Sequence, residues 1–448
     1  MNEKYDIIIV GAGPGGYEMA AKAASCGRKV LIVEKRQLGG TCLNRGCIPA
    51  KALCRNAEVI NLIKNCNEWG ITCEEAKIDY SAAFERKEAV VSQLREGIAM
   101  LLNNPNTTVV EGEAELVDKN TVKVGDTLYN GDSIVIATGS EPRGLPIEGA
   151  ELVMTSDDVL AMQSLPATMC IVGGGVIGME FAAIFSSFGV EVTVVEYCKE
   201  ILPPFDKDIA KRLKSVISKR GVKIVTQAAV KAITKNDDLL VVSYDLKGKE
   251  ASVECEKVLM SVGRKAVLPR GLEAVGVNVG RTGIEVDDNM MTNVPGIYAI
   301  GDVNGKCMLA HAATAQGEVA LSHIMNTPCD INLAIVPSAV FTTPELAMVG
   351  LTEEQCEQQG LEIETRKTFF RSNGKAVSMG ETDGLIKMIV DANTKLILGC
   401  HICGAHAADL IQEVVVAMNA GMTVTRLAEC IHGHPTLGEV VLNAARMF

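Results

Sequence analysis

The chain has 448 residues, 48% of them hydrophobic, which is enough to bury a core without disulfide staples and suggests about three domains. Lys+Arg 43 against Asp+Glu 55 gives a formal charge of −12 with no basic block, which argues against nucleic acid and leaves cationic surfaces or small molecules as partners. No segment reaches the roughly 18 consecutive apolar residues of a membrane span, and "MNEKYDIIIVGAG" at the N-terminus runs into glycines rather than a signal cleavage site, so the reading is a cytoplasmic protein whose 15 cysteines are mostly packed thiols.

Residues 7–35 predict an apolar strand, a G-x-G-x-x-G turn at Gly11, Gly13 and Gly16, an Ala-rich helix, and a second apolar strand ending in Glu34. The first glycine of such a turn makes it tight, and the second lets backbone approach a pyrophosphate at the helix N-terminus. The third lets helix and strand pack closely, and the acid accepts hydrogen bonds from a ribose hydroxyl. Residues 39–51, "GGTCLNRGCIPAK", follow at once and carry Cys42 and Cys47. Further on, "IVIATGS" (134–140) reads as a buried strand stopped by glycine.

Residues 170–197 then repeat the first unit at a shift of 162 positions, the difference between Gly173 and Gly11. Gly173, Gly175 and Gly178 take the places of Gly11, Gly13 and Gly16, Glu180 that of Glu18, and Glu196 that of Glu34. Two dinucleotides are therefore expected. A 2′-phosphate beside Glu196 would be repelled, and Lys199 is the only basic residue in the "YCKE" that follows, so the second is NAD rather than NADP. "VLMSVGR" (258–264) predicts a strand leaving the second unit. "VPGIYAIGD" (294–302) predicts a strand ending in Gly301 and Asp302, where the acid reads alone as a turn or cap residue. From about residue 332, strands such as "LIKMIV" and helices such as "AADLIQEVVVAMNAG" predict a separate α+β domain.

Cys42 and Cys47 could form a structural bridge, half of a metal site, or a redox pair. The compartment disfavours the bridge, and no second Cys or His pair stands nearby to complete a zinc site, so no metal is expected. A redox pair beside a bound cofactor fits. Residues five apart on a regular helix point about 140° away from each other, so a bond between them needs the irregular backbone that Gly46 and Pro49 provide.

The cysteine motif, the two glycine turns, "IVIATGS", "GIYAIGD", "MLAH" and the late "HGHPTLGE" together resemble the flavin disulfide reductases, the class I flavin-dependent pyridine nucleotide-disulfide oxidoreductases, from residue 5 to about residue 446. Within that family the chain looks like the members that oxidise protein-bound dihydrolipoamide and reduce NAD+. The resemblance implies an α/β fold of two Rossmann-like dinucleotide-binding domains plus a C-terminal α+β dimerisation domain. Residues 1–145 would bind FAD, completed by a central domain at 264–331. Residues 146–263 would bind NAD, and 332–448 would form the interface of a homodimer.

It further implies that Cys42 exchanges with substrate, that Cys47 contacts the flavin, and that Lys51 lies near the flavin paired with Glu180. Thr138, Gly139, Ser140, Asp302, Met308, Leu309, Ala310 and His311 would line the FAD site, with Ala114 touching FAD by backbone and Val230 and Gly263 touching NAD. His434, oriented by Glu439, would act as base on the disulfide of the other subunit, while His432 shows no equally obvious partner. The implied partners are lipoyl domains with the core acyltransferase of a 2-oxo acid dehydrogenase complex, or a glycine-cleavage lipoyl protein. An NADH-driven reductase of another disulfide and a largely structural subunit are the alternatives. Arg45 stands where valine is more usual, no C-terminal cysteine pair follows as in many mercuric reductases, and Glu196 stands where glutathione reductases usually carry basic residues.

Other features read as packing. Cys400 and Cys403 of "CHIC" fall in an apolar strand, where residues three apart point to opposite faces. His323 and His401 read as packed or surface histidines, Trp69 and the methionines as ordinary packing, and "KDIAKRLKSVISKR" as a helix with a solvated face.

Overall fold

The strand Lys4–Val10 organises the N-terminal sheet of the computed structural model, which describes residues 4–73 and 77–448. Its run of isoleucines is buried on both faces, as a central parallel strand requires. Ile7 and Ile9 enter one core cluster, Ile8 and Val10 another. On one side it pairs in parallel with Val30–Glu34, and that with Thr107–Glu111; on the other it pairs with Thr127–Ile136. The first half of Thr127–Ile136 joins an antiparallel meander with Thr121–Val124 and Ala114–Asp118, and its second half pairs in parallel with Ile297–Ala299. One compact unit thus comprises Met1–Ala52, Ala82–Arg143 and Gly263–Leu333. Within it, helix Pro14–Ser25 packs on helix Ala310–Met325 at a glycine contact: a Cβ on Gly15 would stand 2.9 Å from the Ala313 carbonyl oxygen.

The second unit comprises Leu53–Ser81, Gly144–Val262 and Ala334–Phe448. It contains a four-stranded parallel sheet in the order Lys223–Thr226, Glu191–Glu196, Thr168–Val172 and Lys257–Met260. A three-stranded antiparallel ribbon, Ala228–Asn236, Leu239–Leu246 and Lys249–Cys255, is inserted before the last strand. The internal repeat is structural: helices Pro14–Ser25 and Val176–Ser187 are both 12 residues long and start 162 positions apart.

The same unit holds a five-stranded antiparallel sheet, ordered Ser338–Val340, Glu345–Gly350, Ile397–Gly404, Leu385–Asp391 and Ile363–Phe369. Helices Ala407–Asn419 and Glu439–Ala445 join its core through Ile411, Val414, Val440 and Val441. Cys400 and Cys403 are buried in the strand, and Cys400 belongs to that core. The charged helix Lys207–Lys219 buries Ile209, Leu213, Val216 and Ile217 and leaves most of its charges outside. Trp69 departs from the expectation of ordinary packing. It is 47% exposed, and its ring edge lies over Gly380, where a side chain would crowd it.

Candidate active site

The glycines of both turns divide into two kinds. Gly11 and Gly173 have φ of 109° and 105°, in the region that favours glycine, and each donates its N–H to the neighbouring strand, to Val33 O at 2.8 Å and Val195 O at 2.9 Å. A Cβ on Gly16 or Gly178 would meet the carbonyl oxygen of Gly11 or Gly173 at 2.0 Å. These four glycines are dictated by the protein's own backbone. The middle ones differ: Gly175 has nothing within 4 Å of a built Cβ, and Gly13 only Gly40 Cα at 4.0 Å. They open onto the N-termini of their helices, which have no side-chain cap. Uncapped N–H groups beside an open glycine suit a pyrophosphate.

The acids match as closely. Glu34 accepts Ala12 N–H and Arg36 N–H, both at 2.8 Å. Glu196 accepts Gly174 N–H at 2.5 Å and Cys198 N–H at 2.6 Å. Each carboxylate is fixed by one bond to each oxygen and keeps further lone pairs for a diol. Both turns therefore fit a dinucleotide. Tyr197 and Lys199 are exposed beyond Glu196.

Cys42 lies in the short helix Gly40–Arg45 and Cys47 begins helix Cys47–Lys64. Gly46, at φ −146° and ψ −114°, breaks the chain between them, where a Cβ would stand 2.9 Å from Thr41 O. The break brings the thiols together. A hydrogen bond to Cys47 pushes the Cys42 thiol far above its ordinary value; burial adds to this, and the ammonium of Lys51 opposes it. Lys51 is half-buried one helical turn beyond Cys47. Nearby, burial, with Glu18 and Cys42 adding, pushes the Tyr17 phenol up to about 12.

The remaining expected FAD residues form the same unit. Ser140 Oγ donates to Asp302 Oδ2 at 2.5 Å, and Arg264 donates to Ser140 through Nε at 2.7 Å and Nη2 at 2.8 Å. Thr138 Oγ1 donates to Val267 O at 2.5 Å, and Gly139 has φ 72°. Gly301 N–H and Asn304 Nδ2 both donate to Gln316 Oε1, at 2.7 and 2.8 Å, which fixes the turn that carries Asp302. Met308 and Leu309 lead into helix Ala310–Met325, whose N-terminus has no side-chain cap, with His311 exposed in its first turn. Ala114 is buried at the start of its strand; Gly263, expected to touch NAD, has φ 109° and opens the last segment of this first unit. In the second unit, Val230 is half-buried in the ribbon, and Glu180 is buried and accepts Phe341 N–H at 2.9 Å.

Two histidine–carboxylate pairs stand in "HGHPTLGE" and its surroundings. His434 Nδ1 lies 3.0 Å from Glu439 Oε1, and Glu439 Oε2 accepts Thr436 N–H at 3.0 Å. The Thr436 bond, helped by His434, holds the Glu439 carboxyl below its usual value. The His434 side chain is 78% exposed, and its Nε2 has no partner among the described residues. His432, read from sequence as lacking a partner, has one in Glu413, 2.7 Å from its Nε2, while its Nδ1 lies 3.1 Å from Cys430 O. Both ring nitrogens of His432 thus face acceptors. Of the two imidazoles only His434 has a ring nitrogen without a partner among the described residues, free to face a substrate.

The pyridine nucleotide-disulphide oxidoreductase family matches residues 5–317, and its dimerisation domain matches residues 336–445. The chain belongs to this family. It is 41% identical over 450 residues to a dihydrolipoyl dehydrogenase of Bacillus subtilis, covering 99% of this chain and 96% of that one. Identity to the dihydrolipoyl dehydrogenase of Chlamydia muridarum is 40% over 454 residues, covering 99% and 97%. The solved structure of the HOCl-induced flavoprotein disulfide reductase RclA from Escherichia coli superimposes with a TM-score of 0.89 at 29% identity, covering 99% of this chain and 100% of that one.

The first match of this disulphide oxidoreductase spans both glycine turns and the cysteine pair, and the second spans both histidine–carboxylate pairs. Sequence reading missed Arg264, Gln316 and Glu413. Arg264 closes the quoted "VLMSVGR", but nothing local ties it to Ser140, 124 positions away. Among the described residues, no helix is long and apolar enough to cross a membrane.

Proposed function

We propose that this oxidoreductase is a dihydrolipoyl dehydrogenase, oxidising protein-bound dihydrolipoamide and reducing NAD+. The observation that carries the proposal is the Cys42–Cys47 thiol pair, brought into contact by the Gly46 break in a chain with two dinucleotide turns. His434 Nε2 takes the proton of a substrate thiol, because a thiol near its ordinary pKa is mostly protonated at pH 7 and only the thiolate attacks. Glu439 holds the other ring nitrogen and favours the imidazolium that results. In the oxidised enzyme, with Cys42 and Cys47 joined as a disulfide, the substrate thiolate attacks Cys42, forming a mixed disulfide and displacing Cys47 as thiolate. The second substrate thiolate then closes the lipoyl disulfide and leaves both cysteines reduced.

FAD, held by Gly11, Gly13, Gly16, Glu34 and the Ser140–Asp302 pair, supplies when bound the acceptor that passes these electrons to nicotinamide. Residues 1–145 with 264–331 serve FAD in this account, 146–263 serve NAD, and 332–448 serve the interface. Glu196, with no cation bonded to it among the described residues, favours NAD over NADP.

His434 is read as acting on the cysteine pair of a second copy, which makes the enzyme a homodimer with shared sites. The match of the dimerisation domain over residues 336–445, which contains His434 and Glu439, supports this. The partners are lipoyl domains of a 2-oxo acid dehydrogenase complex with its core acyltransferase, or a glycine-cleavage lipoyl protein, in the cytoplasm. The likeness to the flavoprotein disulfide reductase over 99% of the chain favours one second reading, an NADH-driven reductase of another disulfide. Turnover of dihydrolipoamide with NAD+, set against glutathione disulfide and coenzyme A disulfide with NADH, separates the two. Failure with dihydrolipoamide alone would sink the first reading.

A further inference from the structure

Cys66 and Cys73 take no part in the chemistry proposed above. Helix Cys47–Lys64 ends two residues before Cys66, which opens the one-turn 3₁₀ helix Cys66–Trp69. Gly70, at φ 69°, turns the chain back, and Ile71 N–H donates to Cys66 O at 3.2 Å. The turn sets the two sulfurs face to face at 3.1 Å, with Cys73 exposed and Cys66 partly so. Most of the other cysteines in the second unit are buried, Cys170, Cys255, Cys356, Cys400 and Cys403 among them. We propose that Cys66 and Cys73 form a second, reversible disulfide at the surface, made and broken by exchange with low-molecular-weight disulfides and dithiols.

The closed turn has already brought the sulfurs together, so a bond of about 2.05 Å needs an approach of only about 1 Å. The hydrogen bond to Cys66 raises the Cys73 thiol above its ordinary value, which favours Cys66 as the attacking sulfur. Cys66 thiolate attacks one sulfur of a small disulfide, forms a mixed disulfide, and releases one thiolate. Cys73, giving up its proton, attacks Cys66 sulfur, closes the protein disulfide and releases the second thiolate. The protein loses two electrons and two protons, and the small disulfide becomes two thiols. A dithiol reverses both steps.

Trp69, the only tryptophan of the chain, lies inside the loop and reports its closure. The FAD-loaded protein, carrying Cys42→Ser and Cys47→Ser to silence the other pair, is treated with glutathione disulfide, alkylated, digested and mapped. The expected result is one peptide pair joined through Cys66 and Cys73, closed to alkylation and reopened by dithiothreitol, together with a fall in Trp69 emission. Cys66→Ser should abolish both changes, and Cys26→Ser, at an exposed cysteine elsewhere, should leave them. If the doubly substituted background does not fold, mapping the wild-type chain reads the same bond. Cys66 and Cys73 recovered as alkylated thiols, or as two separate glutathione adducts, would overturn the proposal.

Discussion

Replacing His434 by Gln isolates the base. The glutamine amide can still donate to Glu439 Oε1, now 3.0 Å from His434 Nδ1, so the loop keeps its anchor, but no group remains to accept the substrate proton. His432 cannot substitute, because both its nitrogens already face acceptors. Substrate must then arrive as thiolate. At pH 7 a thiol of pKa about 8.5 is only about 3% ionised, so the loss should be at least about 30-fold. Removal of a positioned general base typically costs 10² to 10⁴-fold, about 3–5 kcal/mol of barrier. The surviving rate should climb about tenfold per pH unit toward the thiol pKa, since free thiolate now limits it. The assay is NADH formation from dihydrolipoamide across pH, with NADH-to-dye electron transfer as the control that should not change. A loss under about threefold with the wild-type pH profile would refute the assignment of His434 as base.

Mixing inactive Cys42→Ser and inactive His434→Gln chains under conditions of subunit exchange should restore part of the activity, because one hybrid site is then whole; no recovery in demonstrated heterodimers would place the base in its own chain. Glu196→Ser combined with Lys199→Arg should move the NAD/NADP ratio of kcat/KM toward NADP by about tenfold or more, and an unchanged ratio would show that the ribose is held elsewhere. Burial pushes the Asp208 carboxyl up, but bonds from Lys367 and Lys387 more than cancel this and hold it down at about 2. Because the folded value is depressed, its contribution is present above the unfolded value of about 3.9 and lost as pH falls toward 2, so acid titration should remove on the order of 1–2 kcal/mol across that window. Lys387→Met, which strands carboxylates bonded to a fully buried ammonium, should cost about 3–5 kcal/mol in denaturant unfolding and weaken that acid step; near-neutral stability would contradict it.

Features set by neighbours in sequence were legible, and those set by tertiary contact were not. Gly11 and Gly173 are required by the turn's own φ of 109° and 105°, and Gly16 and Gly178 are required because the carbonyl of the turn's first glycine forbids a side chain there. The Cys42–Cys47 contact was legible through Gly46, and His434–Glu439 through five positions of spacing. Glu413, 19 residues before His432 and on helix Ala407–Asn419, left no local signal, so His432 read as partnerless. Arg264 reaches Ser140 across 124 positions, and Lys387 interrupts an apolar strand, where pattern alone gave no reason for a charge. The structure supplies that reason: its ammonium bonds Asp206 at 2.7 Å, Asp208 at 2.9 Å, and Glu353.

The central claim is that substrate electrons pass through the Cys42–Cys47 pair, and anaerobic titration of the FAD-loaded enzyme with dihydrolipoamide tests it most directly. With Cys47 left as thiolate beside oxidised flavin, the first two electrons should produce a new long-wavelength absorption band while most of the flavin colour remains, and Cys47→Ser should abolish the band. Flavin that bleaches at once with no such band would contradict the account.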